Sequence, residues 1–282
     1  MNILPVGMAC LMATLCAGAA ELRVADYAPS NTFPTFDHGY LVVYELESSL
    51  RVHGPDGSLV YRFRPAKGYP NSAALRADGT GAAAVGHWTD DGSGAIVCLD
   101  RSGTVTKVIE TSGFIPVDLS FAEDGSLWVL GARASASEAD YHLLRHYSKD
   151  GPELGRYVKR SSIGGSGEPV VDHTGGWVIR TSQNRVGIHL FNSDPRLWIE
   201  TTFDGVEQGR WVVDFDGYPA AFTRSGDVFG RSIAGPVKLD RQTGKWQSIS
   251  LAEDGRLAGA EADDLVLLDP TGTVHRIKDP SF

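Results

Sequence analysis

Four short patterns and one cysteine in this sequence carry residue types that could do chemistry. His142-Leu143-Leu144-Arg145-His146 puts two imidazoles four residues apart, which on a helix would place both on one face within reach of one metal ion. The alternation around them reads as strand, where the two Cα atoms lie about 13 Å apart, too far for a shared ion. Asp214-Phe215-Asp216-Gly217 begins like a calcium loop but lacks the later acidic positions and the closing Glu, so it reads as a hairpin turn. Gly164-Gly165-Ser166-Gly167 approaches a nucleophile elbow, yet Glu168 stands where the second glycine of G-x-S-x-G belongs. Gly79-Thr80-Gly81 opens like a dinucleotide fingerprint, with Ala84 at its third small position, and strand residues rather than a helix follow. Cys98, in Ala95-Ile96-Val97-Cys98-Leu99, sits in an apolar run and reads as a buried small hydrophobe rather than a nucleophile.

No catalytic constellation emerges, and composition narrows the field further. The 282 residues carry 26 Lys+Arg against 35 Asp+Glu, a net charge of −9, with no basic stripe. Nucleic acid is therefore not expected as a partner, because phosphate binding rests on clustered Lys and Arg. Residues 1–20 contain no charged side chain and end in Ala17-Gly18-Ala19-Ala20, which reads as a cleavable signal peptide and predicts a secreted or periplasmic protein. Removing them takes two of the three cysteines, leaving Cys98 alone and no intrachain disulfide. No later segment is apolar enough over its length to span a bilayer as a helix.

The elements that must position any site are announced by glycine, 33 of 282 residues. One series of turns falls at Asp37-His38-Gly39, Asp78-Gly79, Asp124-Gly125, Thr174-Gly175, Asp216-Gly217 and Asp254-Gly255. A second series interleaves at Asp56-Gly57, Ser102-Gly103, Asp150-Gly151, Asp194-Pro195, Thr243-Gly244 and Thr271-Gly272. Short apolar or alternating runs such as Leu41–Tyr44, Ser126–Leu130 and Leu265–Leu268 flank them, as strands flank hairpins. Two hairpins every ~44 residues make about four strands per unit and six units, the size and number of propeller blades. A two-sheet sandwich is the alternative arrangement. The last unit is short, so Leu22–Tyr27 is expected to supply a strand to it and close the ring. Residues 21–282 then form one β-propeller domain: all-β, six four-stranded antiparallel blades. Trp128 and Trp177, in Phe121–Val129 and Val171–Val178, read as equivalent inter-blade packing residues, while Trp88 and Trp198 fall nearer loops.

The repeated "apolar-Asp-x-x-Gly" hairpins, Leu99-Asp100-Arg101-Ser102-Gly103, Leu239-Asp240-Arg241-Gln242-Thr243-Gly244 and Leu268-Asp269-Pro270-Thr271-Gly272, resemble those of the six-bladed NHL-repeat and gluconolactonase-like propellers. That resemblance implies a central channel in which the lactonases hold a divalent cation such as Ca²⁺ through Glu and Asn/Asp side chains from different blades. The early Glu-Gly-Pro and later Ser-Asp-Gly segments typical of those enzymes are missing here; the nearest piece is Gly167-Glu168-Pro169. Candidate ligand-binding residues lie where segments lead into the innermost strands: Tyr69, Asn71, Asp118, Glu168, Arg210 and Trp211. The sequence thus favours an exported, non-catalytic binding or scaffold module without a cofactor, taking a protein, small-molecule or carbohydrate ligand on one face. The alternative is a metal-dependent lactonase or hydrolase with a cation in the channel.

Overall fold

A computed structural model describes residues 22–24, 27, 33–45, 48–133, 140–163, 176–191, 193–251 and 255–278. Its strands form six four-stranded antiparallel sheets. The innermost strands of blades one to six are Phe33–Asp37, Tyr69–Leu75, Phe114–Phe121, Trp177–Ser182, Gly217–Phe222 and Arg256–Glu261. In the first five blades the chain steps outward strand by strand. In blade six the outermost strand is Leu22–Arg23, paired with Val274 and Thr273, so the N-terminal segment closes the ring as expected. Among the described residues, no helix is long and apolar enough to cross a membrane.

The ring exists because each sheet is apolar on both faces. One buried cluster fills every blade interface, from Val42, Leu75 and Val97 between blades one and two to Val43, Val266 and Val274 between six and one. Innermost strands approach so closely that a Cβ on Gly259 would stand 2.5 Å from the Phe36 carbonyl. Outermost strands are mostly exposed instead, as in Val105–Thr111, because they form the rim of the disc.

The innermost strands share a second device. Register shifts at Pro70/Ser72, Pro116/Asp118 and Pro219/Ala221 mark a bulge just after a proline in blades two, three and five. Proline lacks the N–H a regular ladder needs and is tolerated where the ladder is already broken.

Two register expectations are corrected. Asp216-Gly217 and Gly255 do not turn between strands but lead into the innermost strands of blades five and six. The actual inner turns lie at Gln183, Gly226 and Ala262, and Asp194-Pro195 and Thr271-Gly272 join second to third strands. Consequently Trp128 and Trp177 are not equivalent: Trp128 lies on a second strand, stacked on His146 at 4.0 Å, while Trp177 begins an innermost one. Both are buried. Trp198 is fully buried within the third strand of blade four, and Trp88 packs partly buried against the blade one–two core. His142 and His146 lie on one strand, as the alternation predicted, and Cys98 is half-buried, its thiol pushed up by burial.

Candidate functional site

The innermost strands line a central channel. We call the face where they begin the upper face and the face where they end the lower. Along the channel, side chains of one blade satisfy the backbone of the next. Asp37 Oδ2 accepts from Leu75 N at 2.8 Å, Tyr44 Oη from Ala73 N at 3.0 Å, and Ser120 Oγ from Thr181 N at 3.1 Å.

The strongest of these links is Asp118 with Arg180. Asp118 Oδ2 accepts from Ile179 N and Arg180 Nη1, both at 3.0 Å, and its Oδ1 accepts from Leu119 N at 3.0 Å. Arg180 reaches onward to the Ala220 carbonyl through Nε at 3.0 Å, tying blades three, four and five together. Tyr44 is pushed well above the usual phenol range, by burial first and by the Asp118 charge second. Its hydroxyl is therefore a neutral partner in this polar core.

Beyond Arg180 the channel opens downward into a cavity of about 320 Å³ lined by the ends of the innermost strands of blades one and three to six. Its titratable groups are matched. His38 meets Asp37 at 2.6 Å, a bond that raises the imidazole pKa; Arg224 meets Glu123 at 3.0 Å; and Glu261 on the rim meets Arg276 at 2.7 Å.

The residues singled out from the sequence fall in different places. Tyr69 and Asn71 stand at the upper end of the blade two inner strand, Tyr69 tilted on His87 at 5.4 Å and its phenol pushed up by burial. Asn71 is the bulge residue, and its Nδ2 donates to the Pro116 carbonyl at 2.7 Å, bringing it to the strand that carries Asp118. Glu168 lies outside the described residues. Arg210 and Trp211 are not at the channel: they belong to the outermost strand of blade four, Glu207–Val212. There Glu207 holds Arg210 in a bidentate pair that raises the guanidinium pKa, and Arg241 lies over the Trp211 ring at 5.2 Å. The blade five inner strand, Gly217–Phe222, carries Tyr218-Pro219 at its start, repeating the Tyr69-Pro70 pattern of blade two.

Sequence reasoning missed Arg180 and Tyr44. A signal for Arg180 was present: one charge inside the apolar inner-strand run Val178-Ile179-Arg180.

A divalent cation of the lactonase kind does not fit the described residues. The Asp118 carboxylate already accepts on both oxygens, and the fixed guanidinium of Arg180 beside it would repel a second cation. Asn71 Oδ1 is buried with no hydrogen-bond partner, but no group of three or more His, Cys, Asp or Glu able to hold a metal ion surrounds it or any other point among the described residues.

No family model and no curated protein matches the sequence. Solved structures do. A gluconolactonase of Xanthomonas campestris superposes with a TM-score of 0.58 at 18% identity, covering 90% of this chain and 86% of that one. The shared feature is the fold. BamB of Moraxella catarrhalis (TM-score 0.43, 13% identity, 87% of this chain and 69% of that one) and the Dos1 propeller (0.48, 10%, 87% and 70%) are more distant.

Proposed function

We propose that this chain is an exported, non-catalytic binding module that takes its ligand or protein partner on one face of the disc. The observation that carries the reading is the Asp118–Arg180 pair. The buried carboxylate of the channel is engaged by two backbone N–H groups and a guanidinium, bonds that it would have to give up or share to act as general base or metal ligand. Its bonds hold three blades in place. The lower cavity, with its matched charges and the small side chains of Ala77, Ala220 and Ala260, offers a shaped polar recess in which a polar ligand could form hydrogen bonds. Export is the expectation from residues 1–20.

Metal analysis of the purified protein, paired with thermal-shift titrations of Ca²⁺, Mn²⁺ and Zn²⁺ with and without chelator, tests the proposal, because an ion bound only to the folded state raises its apparent stability. The expected result is no stoichiometric ion, no chelator-reversible shift and no hydrolysis of simple lactones. A stoichiometric ion with a reversible shift would overturn the reading in favour of a metal-dependent lactonase.

A further inference from the structure

We propose that a cleft on the upper face, between blades five and six, is a binding site for a small organic carboxylate, with Arg231 as its anchor. The cleft encloses about 440 Å³ and is lined by Tyr218, Arg231, Ser232, Ile233, Pro236 and Arg256, among others. That volume suits a small ligand, since such sites commonly run from about 300 to 1,000 Å³.

Arg231 stands opposite Tyr218 on the neighbouring strand. Its Nε donates to the Leu257 carbonyl at 2.8 Å and its Nη1 to Tyr218 Oη at 2.9 Å, with the guanidinium carbon 5.8 Å from the Tyr218 ring centre. Both hydrogen-bond partners are neutral. Nη2 is shielded from water and has no acceptor. Arg51, Arg145, Arg180 and Arg241 each lie within ion-pair distance of a carboxylate, whereas Arg76 and Arg196, like Arg231, bond to carbonyls. Arg231 has no carboxylate partner among the described residues, and a half-buried guanidinium held only by neutral partners favours an anion beside it.

The geometry selects the acceptor. Because Tyr218 Oη accepts from Arg231, its own proton is left to donate, and the guanidinium behind it supplies a fixed positive charge. A hydroxyl donor backed by a fixed positive charge favours an anionic oxygen such as a carboxylate's over a neutral acceptor. Ile233 and Pro236 give apolar surface for the carbon skeleton, and the exposed Asp216 at the rim disfavours highly charged anions. The site stands apart from the channel, so this inference holds or fails independently of whether the channel binds a metal.

The test is calorimetric titration of the full chain with acetate, succinate and benzoate, using succinamide and sulfate as controls. At least one carboxylate should bind saturably and succinamide should not. Arg231→Lys keeps a charge but loses the planar fork and should weaken binding about ten-fold. Ile233→Glu, at a hairpin tip where the side chain is 87% exposed, should weaken it as well while leaving the melting temperature unchanged. The proposal is overturned if no carboxylate binds, if sulfate binds as tightly, or if both variants bind with unchanged affinity.

Discussion

Two neighbouring blade seams treat charge in opposite ways. Between blades four and five, Glu200 is fully buried and compensated: Oε1 accepts from Trp198 Nε1 at 2.8 Å, Oε2 meets Arg241 at 2.7 Å, and Arg185 stands at 3.5 Å. Arg241 comes from blade five and also donates to the Gly226 carbonyl, so the carboxylate clamps one blade to the next. Between blades five and six, Arg231 has carbonyl and phenol partners, no carboxylate among the described residues, and a cleft above it. A closed ring needs every seam packed, but it does not need every seam charge-neutral from within. The seam that is incomplete is where an outside group has something to complete.

The largest effect should come from breaking the compensated seam. Glu200→Gln removes the buried charged acceptor while Arg241 and Arg185, 28% and 43% exposed, keep part of their hydration, so the loss should be about 1.5–3 kcal/mol, as for hydrogen bonds to a charged group. Chemical denaturation should register that loss, and a variant within about 1 kcal/mol of the parent would show that the clamp is not structural. The same blade holds the next effect. His189 is fully buried, its Nδ1 bonded to the Leu197 carbonyl at 2.8 Å, and burial lowers its pKa to about 4. The unfolded chain, with an ordinary imidazole near 6.5, binds more protons between pH 6.5 and 4, so stability falls as pH drops through that window. From pH 7 to pH 5 the loss from this residue is about 2 kcal/mol. His189→Gln should remove that component of the pH dependence, and an unchanged slope would refute the assignment.

Much of this architecture was legible because one turn does most of the punctuation, and the same fact set the limit. Residues 54–58, 76–80 and 89–93 form the same turn, with the first N–H on the fifth carbonyl and a glycine fourth. Yet the first joins third to outermost strands, the second innermost to second, and the third second to third. The turn reports that a hairpin exists and says nothing about which strands it joins. Counting turns therefore yields six blades correctly, while register slips in blade four, and Arg210-Trp211 is taken for a lead-in to the inner strand that carries Tyr218-Pro219 at its start. A proline precedes the inner-strand bulges of blades two, three and five, and Tyr69, Asn71 and Asp118 lie beside two of them, a signal that turn counting does not use. Arg180, Glu200 and Arg231 needed a different reading: each is a single charge in an apolar run, and only tertiary structure tells which of them has a partner.

The smaller predictions sharpen the contrast between the seams. Arg231→Gln gives up two hydrogen bonds but also removes a half-buried charge held by neutral partners, so its net cost should be about 1 kcal/mol, below that of Glu200→Gln. A cost as large as the Glu200 effect would mean that Arg231 is a structural clamp, and the cleft would lose its claim to a ligand. Glu123→Gln sets the baseline. Its pair with Arg224 bridges blades three and five across the lower mouth, but the side chains are 57% and 59% exposed. Water already solvates both charges, and an exposed pair contributes about 0–0.5 kcal/mol, less still in high salt. If that substitution shifts stability by less than the experimental scatter while Glu200→Gln is severe, burial rather than the number of ion pairs decides which charges hold the ring together.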